Sequence, residues 1–214
     1  MIGWLFSALI GEVLTQWLAG ISIVAALTLH FLPSKTTVAS VDKSDSFVKD
    51  SLESLDLRFV LWIQKHLTSP RMDILARFCH MVITDEGIAV MTPCVLLMFG
   101  ARSGFFVLAA ITISELVNGC VKWFVQRPRP FCQHSSVRNA LGIWEQDLSF
   151  PSSHAQQSAS ITTALLLQYN MSSFTCVLYC AVAALCALFR VYDGVHYLSC
   201  VLAGALLGVI VPLL

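Results

Sequence analysis

The sequence predicts an all-α fold: a polytopic membrane helix bundle of about six transmembrane helices with an interfacial amphipathic helix. Three observations predict it. Of the 214 residues 57% are hydrophobic and only 12% charged, about half the charged share of a typical soluble domain. Mean hydropathy is +0.75, more apolar surface than one water-soluble core hides. The apolar residues also fall into separate runs of roughly spanning length. The formal net charge of zero argues against a nucleic-acid partner.

The elements follow in order. Trp4 to Leu32 is a long apolar run without Lys or Arg, and Glu12 is its only acid. It lacks the basic start of a signal peptide and reads as a membrane anchor. Pro33 to Asp56, rich in Ser, Lys and Asp, reads as a loop or linker. Residues 1–56 thus form an anchor with a linker, and 57–214 form the main membrane domain. Phe59, Val60, Trp62, Ile63 and Leu67 keep helical spacing among Arg58, Lys65 and His66, the pattern of an interfacial amphipathic helix.

Further apolar runs cover Met81–Phe99, Gly104–Val125, Ala155–Tyr169, Phe174–Phe189 and Tyr197–Leu214. The last carries Gly204-x-x-x-Gly208, a spacing for close helix packing. If all six runs cross, the 33–80 segment, the 126–153 loop and the 190–196 loop share one side of the membrane. The turns at 100–103 and 170–173 then lie on the other, with both termini. Most of the eight cysteines sit within apolar runs, and no C-x-x-C pair or Cys/His metal spacing occurs. They read as small buried hydrophobes.

Three polar clusters interrupt the apolar chain, all on the shared side. They are Lys122-x6-Arg129-Pro130, Pro151-Ser152-Ser153-His154 and Arg190-x5-His196. A phosphate ester needs its non-bridging oxygens neutralised and held. Arginine supplies planar forks, lysine a point charge, and a Ser-Ser turn entering a helix supplies backbone N–H groups at its positive end. Two histidines divide the remaining work between attack on phosphorus and protonation of the leaving oxygen. At the bilayer edge, a lipid tail remains in the membrane meanwhile.

In these motifs and their order the chain resembles the type 2 phosphatidic acid phosphatase superfamily, which also includes the vanadium haloperoxidases. That family reads K-x6-R-P, P-S-G-H and S-R-x5-H-x3-D, usually on six transmembrane helices. The resemblance covers roughly residues 80–214. The stretch "SPRMDILARFCHMVITDEG" also looks like the lead-in of members related to sphingosine-phosphate phosphatases. The resemblance implies a membrane lipid phosphate phosphatase acting on a phosphomonoester or diphosphate such as phosphatidate, a sphingoid phosphate or a polyprenyl diphosphate. His196 would be the nucleophile, forming a phosphohistidine, and His154 the acid and then the base. Lys122, Arg129, Arg190, Ser152 and Ser153 would bind phosphate. It implies no metal and no cofactor, a lipid phosphate as substrate, and membrane lipids as surroundings.

Three positions depart from the family pattern. Ser153 stands for the glycine, Phe189 for the serine before Arg190, and Cys200 for the aspartate. The aspartate normally accepts from Nδ1–H of the nucleophile, and a thiol is a poor acceptor. In serine proteases, neutralising the analogous acid costs roughly 10⁴ in rate. Asp193, three residues before His196, is either a replacement orienter or a solvated loop residue. The substitutions also motivate an alternative reading: a catalytically impaired member that binds lipid phosphate or serves as a scaffold. A haloperoxidase suits the membrane architecture poorly, and the clustered motifs weigh against a generic transporter or channel.

The unassigned polar residues have plainer readings. Arg127 and Arg138 read as solvated or facing lipid headgroups. His30, His66, His80 and His134 match no motif and read as interfacial or packing residues. Glu115, Asn118 and Lys122 share a helical face, where Glu115 either orients Lys122 or faces another helix. Asp85 and Glu86 either cap a helix or lie near the site. Orientation has two opposed signals. All Lys and Arg residues except Arg102 fall on the motif side, which favours the cytoplasm. The resemblance implies a site facing the lumen or periplasm.

Overall fold

The structure, a computed structural model, describes residues 47–82, 100–142 and 148–214. The first apolar run, most of the linker, most of the Met81–Phe99 run with Asp85 and Glu86, and His30 lie outside the described residues. All regular structure among the described residues is helical. Seven helices follow in order: α1 Phe47–Leu67, α2 Pro70–Val82, α3 Ala101–Val125, α4 Pro130–Gln133, α5 Ser153–Gln168, α6 Ser173–Tyr192 and α7 Leu198–Ile210, the last continued by a 3₁₀ turn, Val211–Leu213.

Helix α5 is the hub, packed against α3, α6 and α7, while α1 and α2 lie against α6. Its centrality follows from its sequence. Gln156, Gln157, Ser158, Ser160 and Thr162 are buried beside Ile161, Ala164 and Leu165, so this helix cannot face lipid and must find polar partners on its neighbours. It does. Asn118 of α3 donates to Gln156 Oε1 at 2.7 Å, Gln156 Nε2 donates to the Ser114 carbonyl at 2.8 Å, and the Ser114 hydroxyl donates to Ser160 at 3.0 Å. Gln157 donates to Glu115. Glu115 and Asn118 therefore turn towards α5, the second of the two roles considered for Glu115.

Two glycines bring α7 onto the same hub. A Cβ on Gly204 would overlap the Ser152 carbonyl, and one on Gly208 would overlap the Gln156 carbonyl. The Gly204-x-x-x-Gly208 spacing thus sets the contact between α7 and α5.

Among the described residues, two helical stretches are long and apolar enough to cross a membrane, Arg102–Gln133 and Ser173–Tyr192, and Leu198–Leu213 is a shorter apolar one. Their outward side chains include Phe105, Trp123, Phe124, Phe174, Val177, Leu202 and Leu206. So many large exposed apolar side chains are unusual for a surface in water.

Two expectations change. The linker was expected to run to Asp56, but helix begins at Phe47. Asp56 is buried, accepting from Arg127 at 2.9 Å and from the Ser199 backbone N–H at 3.0 Å. The residues expected as an interfacial helix do form a helix, α1, and one stripe of it, Val60 and Ile63, belongs to the main core with Ala76, Cys79, Phe189 and Tyr192. Helix α2 was not expected. Ser69 caps its start, its Oγ accepting from the Met72 N–H at 3.3 Å, and Pro70 occupies the first turn.

A candidate phosphate site at the end of the bundle

Three loop-to-helix junctions build the site. After α3, Arg127 and Arg129 enter the 126–153 loop. Ser152 then starts α5, its hydroxyl accepting from the Ala155 N–H at 3.4 Å. Its own N–H donates to the Cys200 carbonyl at 3.0 Å. That bond lays the start of α5 along the start of α7. After α6 the chain turns at Asp193-Gly194, where Gly194 has φ +76°. A side chain there would meet the Arg138 carbonyl and Val137, so the turn requires glycine. The N–H groups of Val195 and His196 return to the Arg190 carbonyl at 3.3 and 3.2 Å. Arg190 and His196 are thereby fixed to one another.

His196 is buried. Its Nδ1–H donates to the backbone carbonyl of Ser149 at 2.6 Å. Arg129 Nη1 donates to Nε2 at 3.1 Å and to the Val195 carbonyl at 3.1 Å. A guanidinium only donates, so Nε2 carries the lone pair and Nδ1 the proton. Burial, and then the positive charges of Arg129, Arg190 and Lys122, hold this imidazole well below its usual range, while the Ser149 carbonyl pulls the other way. The ring is neutral at pH 7, with its lone pair aimed at a guanidinium.

Cys200 stands one step further away. Its Sγ lies 3.4 Å from the Ser149 hydroxyl, which is itself 3.4 Å from His196 Nδ1. The imidazole proton that an aspartate would take goes instead to main chain. Asp193 is buried rather than solvated, and its carboxylate lies 3.8 Å from Arg190 Nη1. Its observed role is beside the arginine, not at Nδ1.

His154, in the first turn of α5, and the buried Arg190 meet at a histidine that belongs to none of the three motifs. His80, in the last turn of α2, has its Nδ1 2.9 Å from Arg190 Nη1 and 3.1 Å from His154 Nε2. Ser153 donates to Asn118 Oδ1 at 2.9 Å. Lys122, half-buried on α3, faces both His154 and His196 closely enough for its charge to act on them. Lys122, Arg129, Ser152, Ser153, His154, Arg190 and His196 thus converge at one end of the bundle.

Arg127 and Arg138 do not point freely into solvent. Arg127 bonds Asp56 and Ser199 and lies 3.9 Å over the Tyr197 ring. Arg138 makes a two-pronged pair with Asp73 at 3.2 and 2.8 Å and donates to the Tyr192 hydroxyl at 3.1 Å. Both tie the 126–153 loop to helices. Sequence reasoning missed the Ser149 carbonyl, which has no side-chain signature. It also missed His80, whose only signal was a lone histidine in the quoted lead-in stretch.

The PAP2 superfamily model matches residues 103–214, which include every site residue above except His80. The fold is similar to that of Aquifex aeolicus LpxE, at 20% identity and TM-score 0.67 over 81% of this chain and 97% of that one. It is also similar to a transmembrane PAP2-type phosphatidylglycerolphosphate phosphatase from Bacillus subtilis, at 16% identity and TM-score 0.62 over 94% and 92%. A bacterial vanadium-dependent iodoperoxidase aligns at 18% identity and TM-score 0.58, over 86% of this chain and 52% of that one. No curated protein matches the chain by sequence.

Proposed function

The chain belongs to the PAP2 superfamily, and from that premise we propose that it is a membrane-embedded lipid phosphate phosphatase working through a phosphohistidine. The observation that carries this reading is His196. Its tautomer is set by the Ser149 carbonyl, so a neutral Nε2 lone pair faces a cluster of cations. That is a nucleophile awaiting an anion. The phosphatidylglycerolphosphate phosphatase of similar fold supports a lipid substrate.

In this reading the phosphate enters between Arg129 and His196, taking over the guanidinium's N–H. Arg129, Arg190 and Lys122 hold the non-bridging oxygens, with the Ser153 N–H at the start of α5, which Ser152 positions through its own N–H bond to the Cys200 carbonyl. Nε2 of His196 attacks phosphorus as the ester P–O bond breaks, and His154, as the imidazolium, gives its Nε2 proton to the departing oxygen and becomes neutral. Water then attacks phosphorus, its proton passes to His154, and the P–N bond breaks to release phosphate. No step calls for a metal or cofactor.

We extend the proposal to the architecture: residues 57–214 as the catalytic membrane domain, residues 1–56 as anchor and linker, six crossings, and a site facing the lumen or periplasm. The test is phosphate release by detergent-solubilised protein across phosphatidate, a sphingoid phosphate and a polyprenyl diphosphate. Release from one of them, reduced at least about 10³-fold in His196→Ala, is expected. Equal release by the two proteins would overturn the reading. Lipid phosphate binding without turnover by the wild type would favour the impaired-member alternative, which Cys200 motivates.

A further inference from the structure

His80 lies outside the matched family region, yet it touches two of the groups to which the proposed reaction gives roles. We propose that His80 is a positioning residue of the phosphoryl-transfer site, holding the Arg190 guanidinium and the His154 imidazole in register through its Nδ1. The proposal rests on the phosphatase reading for its chemistry, and on three observations for its geometry.

The first is the donor logic. Arg190 Nη1 lies 2.9 Å from His80 Nδ1, and arginine only donates. His80 Nδ1 therefore carries a lone pair, and its proton sits on Nε2. His154 Nε2 lies 3.1 Å from the same Nδ1. It shares that one lone pair with Arg190 as the second donor of a three-centre bond. So His80 keeps a hydrogen on His154 Nε2 until the leaving oxygen of a bound substrate replaces it as acceptor.

The second is ring placement. The two imidazoles are within 9° of parallel with centroids 5.1 Å apart. With nitrogens 3.1 Å apart, that spacing means the rings meet nearly edge to edge, the approach an in-plane N–H···N bond needs.

The third is the anchoring of α2. Ala76 and Cys79 are buried in the main core, and the Cys79 thiol meets that of Cys186 on α6. Cys186 lies one helical turn before Arg190. The contact that seats α2 thus delivers His80 to Arg190. The charged groups facing His154 from other elements are Arg190, Arg129 and Lys122. All are cationic, and the His80 lone pair is the acceptor that the Nε2 hydrogen has among them.

The test compares wild type, His80→Phe and His80→Asn in full-length, detergent-solubilised protein, with melting temperatures as controls. His80→Phe removes the acceptor while keeping a ring. It should lower kcat about tenfold to 100-fold with KM changed less than about threefold, and move the basic limb of the kcat–pH profile to lower pH. The amide oxygen of His80→Asn offers an acceptor again and should restore most of the rate. Orthovanadate binding, followed by tryptophan fluorescence, should weaken about fivefold in His80→Phe but not in His80→Asn. An unchanged rate and pH profile in His80→Phe would overturn the proposal. So would equal impairment of both variants, which marks a merely structural role. Vanadate binding by a wild type that releases no phosphate would end the phosphatase reading alone. Vanadate affinity unmoved by His80→Phe would end the His80 proposal alone.

Discussion

At the scale of single residues, the problem is how a thiol at position 200 leaves His196 correctly oriented. The Ser149 carbonyl accepts from Nδ1 at 2.6 Å, which fixes the tautomer without a carboxylate. What is lost is charge. A neutral acceptor stabilises a developing imidazolium less than an anion does. Cys200→Ala should therefore lower kcat less than about tenfold, far from the roughly 10⁴ lost when a triad acid is neutralised. Cys200→Asp should raise it no more than a few-fold, because Nδ1 is already engaged and Arg127, 3.6 Å from the thiol, would compete for the new carboxylate. A rise of 100-fold would show that the carbonyl does not suffice. The depressed His196 basicity gives a signed pH prediction. Protonation removes the nucleophile, and burial among cations delays protonation to lower pH. The acid limb of kcat/KM, corrected for the phosphate's own second ionisation near pH ~6, should lie below the ordinary imidazole value of about 6.5. A limb at or above that value would contradict the buried, neutral state. The residues in the three motifs were legible because their spacing ties them to helix ends. The Ser149 carbonyl was not, because main chain carries no residue signature. Nor was His80, because a histidine near an apolar run resembles an interfacial one until a distant arginine arrives.

At the scale of elements, the two glycines of α7 carry the most consequence. Lipid tails are as apolar as leucine, so helices in a bilayer gain from close packing and buried hydrogen bonds rather than from leaving water. Gly204 and Gly208 supply the first, pressed on the Ser152 and Gln156 carbonyls. The Asn118–Gln156–Ser114–Ser160 series supplies the second. Gly208→Ala should destabilise by about 1–3 kcal/mol, the usual range for overpacking, read as a lower melting temperature in detergent. Gly204→Ala should also reduce kcat, since its methyl group meets the residue that starts α5 and the phosphate cradle. A wild-type rate and melting temperature in both would mean that α7 does not set the position of Ser152. The glycine spacing was visible in the sequence as a packing motif, but its partner helix was not. Segment 47–56 misled, and the helix at 70–82 went unread, for a related reason. Asp56 and Asp73 are satisfied by Arg127 and Arg138, partners more than 60 residues away that no local pattern reveals.

At the scale of the whole molecule, the question is whether α5 crosses the bilayer. It has 16 residues, about 24 Å of helix against a hydrocarbon core of about 30 Å, and it carries buried Gln and Ser side chains. Length and composition alone would exclude it from a list of spans. Its surroundings reverse that argument. Its polar groups are buried and bond to α3 rather than face lipid, and polar residues at membrane depth are tolerated when they face the bundle interior. Tyr169 and the 170–172 turn add further length before α6. The same arrangement weakens charge counting as a guide to orientation. Arg127 and Arg138 are paired with carboxylates, and Arg129, Arg190 and Lys122 belong to the proposed phosphate site. Their presence on one side follows from chemistry as much as from insertion. A labelling experiment decides both points. Cys132 is exposed on the loop before α5, and Ser172 is exposed after it. One variant keeps Cys132 as its only cysteine, and another carries only Ser172→Cys. With a membrane-impermeant maleimide on sealed vesicles, cytoplasmic face outward, Ser172→Cys should label at once and Cys132 only after permeabilisation. The reverse order would keep the crossing but turn the site to the cytoplasm. Labelling of both from one side would show that α5 does not cross, and the six-span architecture would fall with it.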